Sequence, residues 1–362
     1  MIYNHSVFEP WPIENESVQS IITSPPYYAL RKYDIPDVII GGDNNCEHKF
    51  EIVTKRAGGG TNGNVGNNVD TRIHYEAQSG ICLKCQTYKG QYGLEPTPQM
   101  YVEHTLLWAK EAWRVLRNDG ILFLNIADSY SGSGCGTNDY RTEASKSING
   151  IGKYVDLYKT GGITQKLKDY PKKCQLLIPH RVAISLVDSG WTLRNSIIWH
   201  KPNAMPESVT DRFSKKYEYI FMFTKQEKYY FDLDAIREPH KEVSIERVKH
   251  KFNPTKVVGR AINNEGDMAR FCHPLGKNPG DVWTIPTFPS SEKHYAMWPE
   301  RLVERMVKCS TKAGDIVLDP FCGSGSTLKV AEQLHRKGIG IDLGYHEMSK
   351  RRTSKIQKEM FT

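Results

Sequence analysis

Near the amino end, Ser24-Pro25-Pro26-Tyr27 sets a hydroxyl, two fixed carbonyls and an aromatic ring side by side. Two prolines bar helix and continued ladder pairing, so the carbonyls turn outward instead of into a sheet. The Ser24 hydroxyl and the Pro25 carbonyl both accept hydrogen bonds. Paired acceptors suit an amino group whose lone pair is delocalised, because binding both hydrogens favours a tetrahedral, nucleophilic nitrogen. Tyr27 adds a face on which a planar ring can stack.

A second constellation lies near the other end. A short apolar run, Ile316–Leu318, leads into Asp319-Pro320-Phe321-Cys322-Gly323-Ser324-Gly325-Ser326. A helical pattern follows, then a second apolar run that ends at Asp342. Glycines let backbone approach a ligand closely, and a helix start offers free N–H groups. An acidic residue ending the next strand, about 20 residues on, suits a ribose diol. The spacing is not G-x-G-x-x-G, and no Lys follows as in a P-loop, so dinucleotide and phosphate readings are weaker.

A third group is Cys46-x-His48 with Cys82-x-x-Cys85, with 33 residues between His48 and Cys82. Four N/S donors in two close pairs fit a tetrahedral structural zinc with every position filled. A redox pair at 82 and 85 and unliganded thiols remain the alternatives. The stretch around them is Gly- and Asn-rich, and a metal would staple a segment that apolar burial cannot hold.

The elements that would position these groups alternate. VQSIIT (18–23) reads as a buried strand. A helix starts at Thr97 or Pro98 and is expected to run to Gly120, with 121–128 as the next strand. LLIPHRVAISLVDSG is a helix stopped by Gly190. WTLRNSIIWHKPN is one or two strands, and YEYIFMFTK is another. HYAMWPERLVERMVKCSTKAG (294–314) is expected to be helical throughout, and residues 232–275 irregular. Strands alternating with helices imply a mostly parallel sheet covered on both faces, with ligands at its carboxyl edge. Both unusual turns sit at that edge.

The bulk numbers agree. The chain has 362 residues, 39% hydrophobic and 25% charged, as a globular protein does. Its 49 basic against 41 acidic residues give +8, a lean toward an anionic partner such as nucleic acid. No apolar run reaches the ~18 residues of a membrane helix. No signal-peptide pattern opens the chain, so a cytoplasmic location is expected. The eight cysteines are mostly scattered, against a disulfide scaffold.

The two turns together resemble a known family. Asp319-Pro320-Phe321-Cys322-Gly323-Ser324-Gly325 is similar to the S-adenosylmethionine motif of DNA amino-methyltransferases, and Thr23-Ser24-Pro25-Pro26-Tyr27 to their catalytic motif. Gly280-Asp281-Val282-Trp283, His294-Tyr295-Ala296-Met297-Trp298-Pro299, Ile197–Asn203 and Tyr217-Glu218 also match its pattern. The catalytic motif comes first and the cofactor motif last, which resembles the β group. The resemblance implies a Rossmann-like methyltransferase fold: α/β, a mostly parallel seven-stranded sheet, helices on both faces, and permuted motif order.

It also implies roles. Residues 319–325 with Thr23 would surround the cofactor, Asp342 would take its ribose hydroxyls, Ser326 and Thr327 would contribute at the helix start, and Trp298 would lie near the methionine end. Ser24, Pro25, Pro26 and Tyr27 would hold the exocyclic amine of a flipped-out base for direct in-line transfer. In the family, serine before the two prolines usually goes with N4 of cytosine, and an acidic or amide residue with N6 of adenine. Adenine is therefore the alternative substrate, and an inactive DNA-binding protein on the same fold the alternative from another class. A 5-position cytosine methyltransferase needs a Pro-Cys nucleophile, and the chain has no such dipeptide.

The resemblance further implies double-stranded DNA as partner, a cognate restriction endonuclease, and a monomer or homodimer. One catalytic domain is expected over 1–362, with insertions at 41–96 (zinc-binding) and 129–172 (basic, flexible). A target-recognition region is expected at 226–279. There Arg237, Lys241, Arg247, Lys249, Lys251, Lys256 and Arg260 are candidates for phosphate or base contacts.

Overall fold

The computed structural model describes residues 1–33, 35–43, 45–56, 74–132, 167, 169–249, 272–287 and 298–344. Strand β2 (Val18–Thr23) is buried at all six positions. Its side chains alternate between two apolar layers, Ile21 joining one and Ile22 the other. Strand β7 (Leu116–Ile126) does the same, with Leu122 and Leu124 on one side and Ile121 and Phe123 on the other. A strand apolar on both faces has to lie between two layers of helices. Helices α1 (Pro98–Val115) and α2 (Ile178–Asp188) cover one face, and α4 (Glu300–Ser310) and α5 (Ser326–Gln333) cover the other.

The remaining strands of this sheet are β1 (Ile2–Tyr3), β8 (Thr192–His200), β9 (Tyr217–Thr224), β10 (Val282–Thr284), β11 (Ile316–Asp319) and β12 (Lys337–Ile341). Their order is β1-β12-β11-β2-β7-β9-β8-β10, and β9 alone runs antiparallel to its neighbours. The mostly parallel sheet is thus as expected, with the two-residue β1 added at one edge as an eighth strand. From β2 the chain crosses to β7 on one side; from β11 it crosses to β12 on the other. The junction of β2 and β11 is therefore a topological switch point, where a crevice opens at the carboxyl ends of the strands.

A second sheet, ordered β3-β6-β5-β4, lies between β2 and α1 in the chain. Its strands are β3 (Val38–Ile40), β4 (Phe50–Arg56), β5 (His74–Cys82) and β6 (Tyr88–Gly90). They pair antiparallel throughout.

Three boundaries differ from expectation. Thr97 does cap α1, its side chain accepting from the Met100 amide, but the helix ends at Val115 and not at Gly120. Gly120 belongs to β7: a Cβ there would lie 2.9 Å from the Gln19 carbonyl oxygen and 2.7 Å from Leu116 Cδ1. That glycine permits close strand packing instead of stopping a helix. Of the helix expected over 294–314, residues 294–297 lie outside the described set, and α4 begins at Glu300 after an extended Pro299 (φ −60°, ψ 128°). Within the stretch expected to be irregular, Glu242–Lys249 forms α3.

Candidate active site

The switch point holds a cleft of about 700 Å³ lined by both motif turns, among them Ser24, Pro25, Tyr27, Asp319, Phe321 and Asp342. The two turns are tied to each other. Asp319 ends β11 beside Thr23, which ends β2, and the Thr23 hydroxyl donates to Asp319 Oδ1 at 2.8 Å. The Phe321 amide donates to the same oxygen at 3.1 Å, and Thr327, in the first turn of α5, donates to Oδ2 at 2.7 Å. Burial pushes the Asp319 carboxyl up to about 6, while the Thr327, Thr23 and Phe321 donors pull the other way. The carboxylate is a brace between the turns.

Beyond Asp319 the chain needs glycine twice. Gly323 (φ 47°) and Gly325 (φ 79°) occupy the left-handed region, where a side chain is strained. Gly325 caps α5, leaving the helix start next to the cleft. Asp342, just past β12, accepts from the Gly323 amide at 2.9 Å and the Gly344 amide at 2.8 Å, which fixes its carboxylate at the rim. The Phe321 ring stacks on Tyr92 at 5.7 Å and meets Trp108 edge-on at 5.4 Å. Cys322 is buried. Pro320, Ser324, Ser326 and Thr327 also line the cleft, and so does Trp298, whose ring also packs on the α4 side of the core.

On the β2 side, Tyr27 is anchored by its hydroxyl. That oxygen accepts from Ser24 Oγ at 3.1 Å and lies 2.8 Å from both Asn125 Oδ1 and Glu218 Oε2. One phenol hydrogen thus sits between two acceptors. Burial, then the Glu218 charge, holds the Tyr27 phenol well above its ordinary value, so it stays protonated. Asn125 is oriented in turn by donating from Nδ2 to the Tyr219 carbonyl at 2.9 Å. Glu218 pairs through its other oxygen with Lys201, whose ammonium lies 4.1 Å above the Trp199 ring. The Pro26 carbonyl accepts from the Tyr101 hydroxyl at 2.9 Å. The Pro25 carbonyl has no donor among the described residues.

Lys201 and Glu218, which line the cleft, and Asn125, which holds the Tyr27 hydroxyl, are residues to which sequence reasoning gave no role. The resemblance quoted the first two without a role. The antiparallel register His200↔Tyr217 and Trp199↔Glu218 brings them together, which no local spacing announces.

The Cys46, His48, Cys82 and Cys85 donor atoms converge, all within 4.8 Å of one another. Zn–S bonds of about 2.3 Å and Zn–N of about 2.0–2.1 Å at the tetrahedral angle imply S···N edges of about 3.6 Å. Cys85 Sγ and His48 Nδ1 lie 3.5 Å apart. Among the described residues this is the one such group.

The expected DNA contacts are placed unevenly. Arg237 is turned inward, donating to Asp234 Oδ1 at 2.6 Å and to the Gly276 carbonyl at 3.0 Å, so its guanidinium is engaged within the protein. Lys241 is exposed at the start of α3. Arg247 and Lys249 lie on α3, but their side chains are outside the described set, as are Lys251, Lys256 and Arg260 entirely and most of the basic stretch 129–172. No described helix is long and apolar enough to cross a membrane.

The family described as DNA methylase matches residues 18–351. The chain is similar to the type II methyltransferase M.XycI of Xanthomonas campestris pv. cyanopsidis, at 30% identity over 90% of this chain and 77% of that one. It is similar to M.SmaI of Serratia marcescens, at 32% identity over 73% of this chain and 77% of that one. Among solved structures, the PvuII DNA methyltransferase (cytosine-N4-specific) shares the fold, with a TM-score of 0.54 at 16% identity, covering 99% of this chain and 89% of that one.

Proposed function

The chain belongs to the DNA methylase family of N6 and N4 amino-methyltransferases, and from that premise we propose that it methylates N4 of cytosine within a specific short sequence of duplex DNA. The observation that carries this reading is the pair of acceptors at the end of β2. Ser24 Oγ is held by Tyr27, and the Pro25 carbonyl has no donor among the described residues, both at the cleft. They would take the two amino hydrogens of a flipped base whose ring lies on Tyr27. Lys201 lines the same cleft as a donor. Along its Watson–Crick edge cytosine offers N3, next to the amino-bearing carbon, and then O2, two acceptors that suit such a donor; adenine offers only N1 on that edge.

The residues fit S-adenosylmethionine as the methyl donor. Two left-handed glycines and a helix start border the cleft, a fixed carboxylate stands at the next strand end to take a ribose diol, and Phe321 and Trp298 supply apolar surface. When bound, it supplies an electrophilic methyl group on a sulfonium. Asp319 holds the two turns in register, so that the amine and the donor site share one cleft. Such positioning accounts for much of the rate enhancement in bimolecular reactions.

One structural zinc on Cys46, His48, Cys82 and Cys85 completes the reading. It is supported by the convergence of four donor atoms within 4.8 Å of one another, one edge of which, Cys85 Sγ to His48 Nδ1, has the tetrahedral length at 3.5 Å. A cognate restriction endonuclease reading the same sequence is the expected partner.

The test is DNA from cells expressing the protein, examined by single-molecule sequencing and by nucleoside mass spectrometry. N4-methylcytosine at one recurring sequence is expected. N6-methyladenine without methylcytosine would move the reading to adenine. Tight cofactor binding without transfer to any DNA would make the protein a binder.

A further inference from the structure

The chain that leaves the Cys/His group is the chain that supports the catalytic turn. Around Cys82 and Cys85 the backbone forms a tight knuckle. The Gln86 amide donates to the Cys82 carbonyl at 3.0 Å, the Lys84 amide to Cys82 Sγ at 3.4 Å, and the Cys82 amide to the Thr87 carbonyl at 2.9 Å. Thr87 then donates its hydroxyl to the carbonyls of Ile40 and Gly41, at 3.0 and 2.6 Å, fastening the start of β6 to the end of β3.

Six residues past Cys85, the buried Gln91 side chain holds a loop that has no ladder of its own. Its Nε2 donates to the carbonyls of Tyr33 at 3.0 Å and Ile35 at 2.7 Å, and its Oε1 accepts from the Tyr33 amide at 3.0 Å. Tyr33 and Ile35 line the cleft.

Two residues further on, Gly93 has φ 93° and packs directly under the catalytic turn. A Cβ there would meet Pro26 Cβ at 3.0 Å and the Tyr27 carbonyl oxygen at 3.1 Å. The Gly93 carbonyl accepts from the Ala29 amide at 2.7 Å.

Between these two contacts, Tyr92 is held from another side. Its hydroxyl lies 2.7 Å from Thr105 Oγ1 and accepts from Trp108 Nε1 at 3.1 Å, both on α1. Tyr92 is thus anchored by α1, as is Pro26 through the Tyr101 hydroxyl, while Ala29, Tyr33 and Ile35 are held by the arm from Cys85.

We propose that zinc on Cys46, His48, Cys82 and Cys85 is the clamp of the base-side wall, acting through Gln91 and Gly93 as positioning residues for residues 26–35. The proposal rests on the zinc reading above. With the metal in place, the knuckle fixes where β6 begins, and β6 delivers Gln91 and Gly93 to the loop. Without it, three thiols and an imidazole remain at a site whose neighbours Leu83 and Lys84 are exposed, and the start of the arm is left to backbone pairing and the Thr87 hydroxyl.

The amides of Ala29 and Tyr33 report directly, because their acceptors are on the arm. The experiment is metal analysis of the full chain purified without a His tag, then amide hydrogen exchange before and after zinc removal by a strong chelator, alongside titration with S-adenosylmethionine. One zinc per chain is expected. Removal should speed exchange at Ala29 and Tyr33 by about tenfold or more while cofactor affinity stays within about threefold. Gln91→Leu should keep its zinc and still speed exchange at Tyr33, which separates the clamp from general unfolding. Less than about one tenth of a zinc per chain would sink the metal reading itself. Full zinc with unchanged exchange at both amides after its removal, or in Gln91→Leu at Tyr33, would overturn the clamp.

Discussion

The cleft and the Cys/His arm both hold polar groups in fixed places, and they do it with different materials. In the cleft, the work is done by two central strands with no exposed face. The Asp319 carboxylate sits in that environment and collects donors from Thr23, Phe321 and Thr327. Its geometry follows from sheet burial. At the arm, Leu83 is 54% exposed next to the ligands. What converges there is four donor atoms instead of apolar surface. The comparison sets two supports of the Ser24–Tyr27 turn side by side: a sheet behind it that burial makes rigid, and an arm beneath it whose rigidity is proposed to depend on coordination.

The sharpest way to separate the two supports is to remove the reacting groups themselves. Ser24→Ala deletes one amine acceptor, and Tyr27→Ala deletes the stacking face and the anchor of Ser24. Neither touches the Asp319 brace. Each should lower transfer by about 10²–10³-fold, with S-adenosylmethionine binding within about threefold of wild type by calorimetric titration. Near-normal turnover in both variants would mean that the strand end does not do the chemistry assigned to it.

Asp319 tests the sheet side. Asp319→Ala strands two buried hydroxyl donors and the part-buried Phe321 amide at once, and a loss of about 3 kcal/mol in urea unfolding is expected, with cofactor binding lost as well. Its titration gives a second reading. The carboxyl, raised to about 6 from an ordinary value of 3.8, keeps its proton in the folded protein at pH values where the unfolded chain has released it. The folded state then binds more protons, so stability falls as pH rises from about 4 to about 6 and levels off above. Between pH 4.5 and 7 wild type should lose about 2 kcal/mol more than Asp319→Asn, which has no proton to release there. Both proteins carry the same Cys/His group, so the difference isolates the carboxyl. Parallel pH profiles would mean that its hydrogen-bond donors outweigh its burial.

Much of the sheet side was legible in the sequence. VQSIIT and IVLD are short apolar runs ending in turn residues, and Thr97-Pro98 is a cap followed by a first-turn proline, so β2, β11 and the start of α1 announce themselves locally. The end of α1 was misread because Gly120 serves strand packing against Gln19 and Leu116, a tertiary demand that looks like a helix stop in one dimension. The Cys/His group was legible as two spaced pairs. The arm's actual connection to the site was not. Gln91 is an ordinary polar residue in a polar stretch, and its partners Tyr33 and Ile35 lie more than fifty residues away. Glu218 and Lys201 lie in segments the resemblance quotes, but their role was not legible, since an antiparallel register joins them to each other and a long-range hydrogen bond joins Glu218 to Tyr27.

That last pair gives the smallest and most discriminating change. Glu218→Gln keeps an acceptor for the Tyr27 hydroxyl but removes the charge that pairs with Lys201. Both side chains are mostly shielded, 15% and 18% exposed, so screening by solvent is partial. Turnover should fall by about tenfold, or about 1.4 kcal/mol, with the fold and the zinc content unchanged. Lys201→Met removes the donor proposed to face O2 and N3 of cytosine, and its effect should depend on the base. With 2-thiocytosine at the target position, where sulfur accepts poorly, wild type should lose most of the advantage that Lys201→Met has already lost on cytosine. The two enzymes then converge on the thio base if Lys201 reads that edge. An equal loss from the thio substitution in both enzymes would place Lys201 in the support of Glu218 and Tyr27 alone, joining it to the sheet side of the comparison and not to the recognition of the base.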